Sequence, residues 1–337
     1  MVFVTGGTGF LGAHLLYHII SKGEQVRALK RKNSNLDEVK RVFSYHNKEN
    51  ETDLFAKIEW LEGDLLDYNS ILECLDGIRY VYHAGAIVSF QSDDKSKMII
   101  NNVQGTSNIV NASLETGVKK FCHVSSIAAL GSAEPGELID EKSERKSVSK
   151  NAGYSISKFH SELEVWRGIA EGLNAVIVNP SIILGSGFWE KGSSKIFHKV
   201  SDGLKFFTKG ISGYVDVHDV CEIMIRLMKS EISGERFCLN SENLSFESIL
   251  KKIAGKLKKE PPNIYANPFL TEIAWRLEFL KKLIFNKTPI ISRQSAKSAH
   301  SKKYFSNKKI IELLDYNFIP IDNTIKEICK NYRMTES

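Results

Sequence analysis

The chain has 337 residues, of which 42% are hydrophobic and 26% charged, a balance that suits a globular protein with a full-sized core and excludes a disordered chain or a small stapled scaffold. No run of 18 or more apolar residues offers a membrane span, and the opening MVFVTGG passes from a strand straight into a glycine turn without the pattern of a secretory leader, so a cytoplasmic setting is expected. The formal charge of +6 is unevenly placed: residues 250–337 carry 18 Lys/Arg against 8 Asp/Glu, while the remainder is slightly acidic. A basic tail can attract nucleic acid or anionic lipid, but a set of solvated helix faces is the expected reading, with no nucleic-acid partner. Cys74, Cys122, Cys221, Cys238 and Cys329 are scattered with no C-x-x-C pair, which predicts reduced, buried thiols.

In chain order, apolar runs of strand length alternate with amphipathic stretches. Val2–Thr5, Gln25–Leu29, Ile58–Leu61, Tyr80–His83, Phe121–Val124 and Ala175–Asn179 read as strands. Leu11, Leu15, Ile19 and Ile20 repeat at helical spacing before the stop at Gly23, and helices are predicted near 69–76, 96–116 and 150–172. That alternation predicts an α/β fold with a doubly wound parallel sheet. After Pro180 the rhythm changes to a glycine-rich stretch, a short strand at Tyr214–Val217, a helix near 218–230 and a strand at Arg236–Leu239. Helices over 244–258, 268–286, 307–314 and 322–332 complete a smaller, mostly helical C-terminal lobe, with Pro261–Pro262 as a break. The expected division is a nucleotide-binding domain over 1–180, to which 214–240 returns, and a substrate lobe from 181–213 and 241–337.

Three motifs carry chemistry. The first is Thr5-Gly6-Gly7-Thr8-Gly9-Phe10-Leu11-Gly12, between a predicted strand and a predicted helix, where glycines admit a pyrophosphate to the positive helix N-terminus. At the end of the second strand a carboxylate would bind the ribose 2′-hydroxyl of NAD, and a basic residue would accept a 2′-phosphate. The chain reads Leu29-Lys30-Arg31-Lys32 there, so NADP(H) is favoured over NAD(H), with Arg31 as the phosphate ligand and Lys30 or Lys32 assisting. Asp64, after the third strand, is placed near the adenine. The second motif is Tyr154-Ser155-Ile156-Ser157-Lys158, whose i, i+4 spacing puts phenol and ammonium on one helix face, where the lysine and an oxidised nicotinamide would lower the tyrosine pKa. The third is Val124-Ser125-Ser126, which sets hydroxyls at the end of the fifth strand, where one can hydrogen-bond a reacting oxygen.

Together with Gly63-Asp64-Leu65, His83-Ala84-Gly85-Ala86, Asn102-Val103-Gln104-Gly105-Thr106 and Asn179-Pro180-Ser181, these motifs resemble the extended short-chain dehydrogenase/reductases across roughly residues 1–240. The resemblance implies a Rossmann-type domain, Tyr154 as general acid/base, Lys158 on the nicotinamide ribose, and Ser126 in preference to Ser125 as the orienting hydroxyl. It further implies that Leu65, Ala84, Gly85, Ala86, Asn102, Pro180 and Ser181 belong to the cofactor site, and that the helices near 96–116 and 150–172 form a homodimer interface. Ile127-Ala128 follows Ser126 where 4,6-dehydratases carry Asp-Glu, and Ile182–Gly187 lacks the basic run of many nucleotide-sugar epimerases. The Val26-Arg27-Ala28 strand, the Val124–Gly131 run and Lys308-Lys309-Ile310 with Leu313–Tyr316 look more like the dihydroflavonol 4-reductase and 3β-hydroxysteroid dehydrogenase-like branch. The expected activity is hydride transfer between nicotinamide and a small carbonyl or secondary alcohol. The alternatives are a nucleotide-sugar epimerase and a non-catalytic dinucleotide-binding regulator.

Two apolar groups stay open between roles. Val88, Phe90, Ile183, Phe188, Trp189 and Tyr214 either line an apolar or aromatic substrate cleft or pack under the lobe. Phe269, Leu270, Ile273, Leu277, Leu280 and Ile284, with Arg276, Lys281, Lys282 and Lys287 among them, form a helix that either lies on an anionic membrane surface or, as expected, packs against the substrate domain. His83 is read as a packing residue, and no metal site is expected.

Overall fold

In a computed structural model the described residues are 1–46, 51–88, 94–134, 136–145, 153–285 and 292–336, with the backbone alone for 51–53, 282–285 and 336. The first half runs β1 (Val2–Thr5), α1 (Phe10–Ser21), β2 (Val26–Lys30), α2 (Asp37–His46), α3 (Glu51–Ala56), β3 (Ile58–Glu62), α4 (Tyr68–Cys74), β4 (Tyr80–His83), α5 (Lys95–Glu115), β5 (Lys120–Val124), α6 (Gly153–Ala170) and β6 (Ala175–Pro180). Next come β7 (Ile182–Leu184), α7 (Lys195–Ser201), β8 (Phe206–Phe207), β9 (Ile211–Asp216), α8 (Val217–Lys229), β10 (Glu235–Leu239), β11 (Glu242–Ser245) and α9 (Phe246–Leu257). The chain ends in β12 (Ile264–Tyr265), α10 (Pro268–Phe285), α11 (Arg293–Ser298), α12 (Lys308–Leu314) and α13 (Ile321–Glu336).

Seven parallel strands form the main sheet in the order β10-β6-β5-β4-β1-β2-β3, so the winding reverses between β1 and β4. Ligands of such sheets sit at that reversal, beyond the carboxyl ends of the strands. The central strands are apolar on both faces because helices cover both: Val2, Val4, Cys122 and Val178 face one cluster, and Phe3, Phe121, Ala175 and Ile177 the other. One face is packed by α1 and α8, the other by α4, α5 and α6. All five cysteines are free and buried.

The return of the chain to the main sheet begins later than residue 214. Tyr214 belongs to β9, which pairs with β7 and β11 in a separate three-stranded sheet, and α8 and β10 make the return. The reason is the antiparallel neighbour Glu242–Ser245, a four-residue strand whose pairing is invisible in a local pattern. Tyr214 itself is fully buried in the lobe core with Ile249, Ile253 and Ile325, and Trp189 lies in the same core, stacked edge-on to Tyr332. Phe188 packs edge-on to Phe10. Packing therefore takes these three side chains, Val88 is exposed, and Phe90 lies outside the described residues.

Where α1, α2, α8 and α13 converge, four histidines meet. His14 Nδ1 lies 3.0 Å from His46 Nε2, His18 Nε2 lies 2.9 Å from His218 Nδ1, and Tyr17 stacks on His46. Burial, followed by the neighbouring His218, lowers His18 to about 4 and His46 to about 3. His14 is also held neutral, first by burial and then by His46. For His218 burial opposes the charged form, but Glu327 and Asp216 outweigh it and raise the pKa. Among the described residues no group of His, Cys, Asp and Glu is arranged to hold a metal ion.

Candidate active site

The glycine turn has the geometry its sequence promised. Gly6 has φ +74°, and a Cβ there would stand 2.6 Å from the Ala84 carbonyl; a Cβ on Gly12 would stand 2.0 Å from the Gly6 oxygen. Only glycine permits β1, α1 and the loop after β4 to approach this closely. Gly9 begins α1 without any side-chain cap, which leaves the first-turn N–H groups of Phe10, Leu11 and Gly12 for an acceptor from outside the helix. Thr8 lies in this turn, half-buried.

At the ends of β2 and β3 a cleft of about 580 Å³ is lined by Arg31, Asn33, Ser34, Gly63, Asp64 and Ser70, with Lys32, Glu62 and Asp67 beside them. Arg31 is exposed, and its backbone N–H donates to the Ser34 hydroxyl at 3.0 Å, which closes the turn. Lys30 points along the sheet edge instead, 3.8 Å from Glu62. Asp64 accepts from the Leu66 N–H, shaping its own loop, while Leu65 packs into the second core cluster.

The loop after β4, with Ala84, Gly85 and Ala86, is fixed from both sides. Thr5 accepts from the Gly85 N–H and pairs with His83, whose other ring nitrogen meets Thr106. Asn102 accepts from the Ile87 N–H at 2.7 Å and donates to the Ile87 carbonyl and the Ser157 hydroxyl. Both amide hydrogens of Asn102 are thus committed within the protein, so this residue acts on the site by holding the loop to α6. At the end of β6, Ser181 follows Pro180 with a buried hydroxyl that has no hydrogen-bond partner among the described residues. An uncapped helix start, glycine close approach, a cleft with an exposed guanidinium at its rim and that hydroxyl are a donor set that fits a dinucleotide.

Tyr154, Lys158 and Ser126 come together beyond the end of β5. The Ser126 side chain is hydrogen-bonded to the Tyr154 hydroxyl, and Lys158, fully buried on the same face of α6, donates to the Val124 carbonyl at 2.8 Å. Ser125 points elsewhere: its hydroxyl donates to Glu162 at 2.6 Å. Glu162 is a residue the sequence reading missed. Only 2% exposed, it also accepts from Asn179 at 2.8 Å and Arg236 at 2.9 Å, tying α6 to β5, β6 and β10. The signal was there, since Tyr154, Lys158 and Glu162 repeat every four residues. A lone glutamate on an amphipathic helix reads as solvated, and only the sheet behind it shows otherwise.

Burial raises the Tyr154 pKa, with the Ser126 hydrogen bond working the other way. Burial also lowers Lys158 to about 8, against the pull of Glu162. His83 and His123, stacked beneath, stay neutral, chiefly by burial. Arg145 donates to Ser155 and lies over the Phe159 ring, a cation beside the tyrosine that the sequence reading did not single out.

A doubly wound sheet with a glycine-cradled helix start and a Ser–Tyr–Lys grouping defines a dinucleotide-dependent enzyme class. The chain belongs to the NAD dependent epimerase/dehydratase family, whose model matches residues 2–239. It is accordingly an NAD(P)-binding oxidoreductase of that family. It is 28% identical to a putative dihydroflavonol 4-reductase of Synechocystis over 93% of this chain and 88% of that one. It is also 28% identical to sterol demethylase protein B of Methylococcus capsulatus, over 89% and 88%. Among solved structures, gox2253 superposes with a TM-score of 0.80 at 26% identity over 99% and 98% of the two chains. The UDP-glucose 4-epimerase of Thermotoga maritima shares the fold, at TM-score 0.77 and 18% identity over 100% and 99%.

Proposed function

We propose that the protein is an NADP(H)-dependent reductase or dehydrogenase that transfers hydride between nicotinamide and a carbonyl or secondary alcohol carbon of a small apolar or aromatic substrate. The observation that carries this reading is the Ser126–Tyr154 hydrogen bond above the buried ammonium of Lys158. When bound, the nicotinamide supplies or accepts the hydride. Tyr154 donates the proton to the reacting oxygen in reduction and takes it in oxidation, Ser126 orients that oxygen, and Lys158 favours the phenolate form of the tyrosine. Burial, which raises the Tyr154 pKa, keeps the proton on the phenol, ready for donation.

Preference for NADP(H) rests on Arg31 at the rim of the β2/β3 cleft, where no carboxylate follows β2 directly. Pro180 and Ser181 border the nicotinamide end in this reading. The apolar substrate class is supported by relatives named for sterol and dihydroflavonol chemistry. The division into a nucleotide domain and a substrate lobe, with α5 and α6 as the dimer contact, is part of the same reading.

Titration of NADPH and NADH by fluorescence, on wild type and on Arg31→Ala, tests the cofactor assignment. Tight NADPH binding that weakens selectively in the variant supports it. Equal binding of NADH, untouched by the substitution, overturns the phosphate role and favours an epimerase that returns its hydride. Ketone reduction abolished in Tyr154→Phe separates an enzyme from a dinucleotide-binding regulator.

A further inference from the structure

The helix α10 is turned inside out relative to its surroundings. Its packed side consists of Thr271, Ala274, Trp275 and Glu278; Thr271 meets His300 beyond α11 at 2.9 Å, and Trp275 lies beneath Arg276 and Arg293. The opposite side carries Phe269, Leu270, Ile273, Leu277 and Leu280, a single stripe at helical spacing, with Phe269 72% exposed and the others between 40% and 53%. Large apolar side chains aligned on one exposed face mark a surface that something covers. Ile264 and Phe206, on the paired strands β12 and β8, are exposed as well.

Charge selects the occupant. Residues 268–303 carry eight Lys/Arg against two Asp/Glu. Arg276 and Lys281 flank the stripe on its two sides, and although each pairs with a helix glutamate, Glu272 or Glu278, both stay more than half exposed. Long cationic side chains beside an apolar stripe can reach up to phosphate headgroups while the stripe enters the acyl boundary. No described helix is long and apolar enough to cross a membrane.

The helix is tied through α11 to the segment that runs toward the Ser126 loop. From α11 the chain continues through Ala299 and Ser301, whose carbonyls accept from Gly210 and Ile211 of the β9 edge, to Tyr304, which accepts from the Ile139 N–H. Ile139, Phe305 and Leu130 form one small core beside the Ser126 loop.

We propose that the exposed face of α10 is an interfacial docking surface for an anionic lipid bilayer. The inference goes beyond the reductase reading and does not depend on it, because bilayer capture requires no turnover. Full-length protein is sedimented with phosphatidylcholine vesicles with and without phosphatidylserine. Wild type is expected to sediment with the anionic vesicles and to be released by high salt. The double variant Ile273→Asp/Leu277→Asp should lose more than about tenfold in partitioning, with its melting temperature and cofactor binding intact. Lys281→Glu, which leaves the stripe whole, should lose roughly fivefold on the anionic vesicles alone. Wild type that stays in the supernatant with both vesicles, or a double variant that sediments like wild type, overturns the proposal. A wild-type dimer that the double variant converts to monomer overturns it too, in favour of a second copy of the chain as the occupant.

Discussion

Two helices of 18 residues, α6 and α10, solve opposite problems. α6 turns polar and charged side chains inward: Ser157, Lys158, Ser161 and Glu162 are all buried against the sheet. α10 turns leucines, isoleucine and phenylalanine outward and packs by Thr271, Ala274, Trp275 and Glu278. Burial of a charge demands partners, and α6 supplies them for Glu162 through Ser125, Asn179 and Arg236. Exposure of apolar area costs little within the chain when another phase can take it up. The lesson is that amphipathicity states how a helix divides its residues; what stands on each side decides which half is buried.

The largest effect expected from breaking this arrangement is on turnover. Tyr154→Phe should reduce carbonyl reduction by about 10²–10⁴-fold, with thermal stability within about 1 kcal/mol of wild type, since only a hydroxyl is removed. Steady-state kinetics beside a melting curve separates the two. Glu162→Ala removes the acceptor shared by Ser125, Asn179 and Arg236, and should cost about 3 kcal/mol of stability, a figure reduced from that of a fully dry pair because Arg236 is partly open to water. An unchanged melting temperature in that variant would contradict the role assigned to the carboxylate.

A third test concerns the histidines between α1, α2, α8 and α13. Their folded pKa values, about 4 for His18 and about 3 for His46, lie below the 6.5 of the unfolded chain. The unfolded state therefore binds more protons as pH falls below about 6.5, and stability is lost from there down toward pH 4, by about 2 kcal/mol for each of these two histidines between pH 7 and 5. His218, whose pKa is raised, contributes in the opposite sense: its stabilisation is complete below 6.5 and fades as pH rises through its folded value. One group against three leaves the net slope acid-labile. Melting curves across this range should show it, and His46→Gln should flatten it. The smallest effect belongs to α10: Leu277→Asp should leave stability within about 0.5 kcal/mol of wild type, because its side chain already faces solvent. A loss of several kcal/mol would mean that the face is covered within the folded chain.

The reach of the sequence can be traced residue by residue. The six strands of the nucleotide-binding half were legible because strands buried on both faces are continuous runs of Val, Ile and aromatic residues. The strands β7, β8, β11 and β12 were not read, being two to four residues long and fixed only by distant partners. The helix α2 went unread as well; its Val39, Val42 and Phe43 sit among the charged Asp37, Glu38, Lys40 and Arg41. Glu162 and the paired histidines escaped because a titratable residue on a helix gives no local sign of burial.

The sequence by itself determined the alternation of strands and helices, the glycine turn, and the presence of Ser126, Tyr154 and Lys158, since each is carried by residues a few positions apart. Tertiary structure decided which serine meets the tyrosine, as Glu162 draws Ser125 away. It also decided that Phe188, Trp189 and Tyr214 are core, and that the stripe of α10 faces outward. Those outcomes turn on which surfaces meet across tens to more than a hundred residues of chain, and side-chain spacing along one element carries no information about its partner.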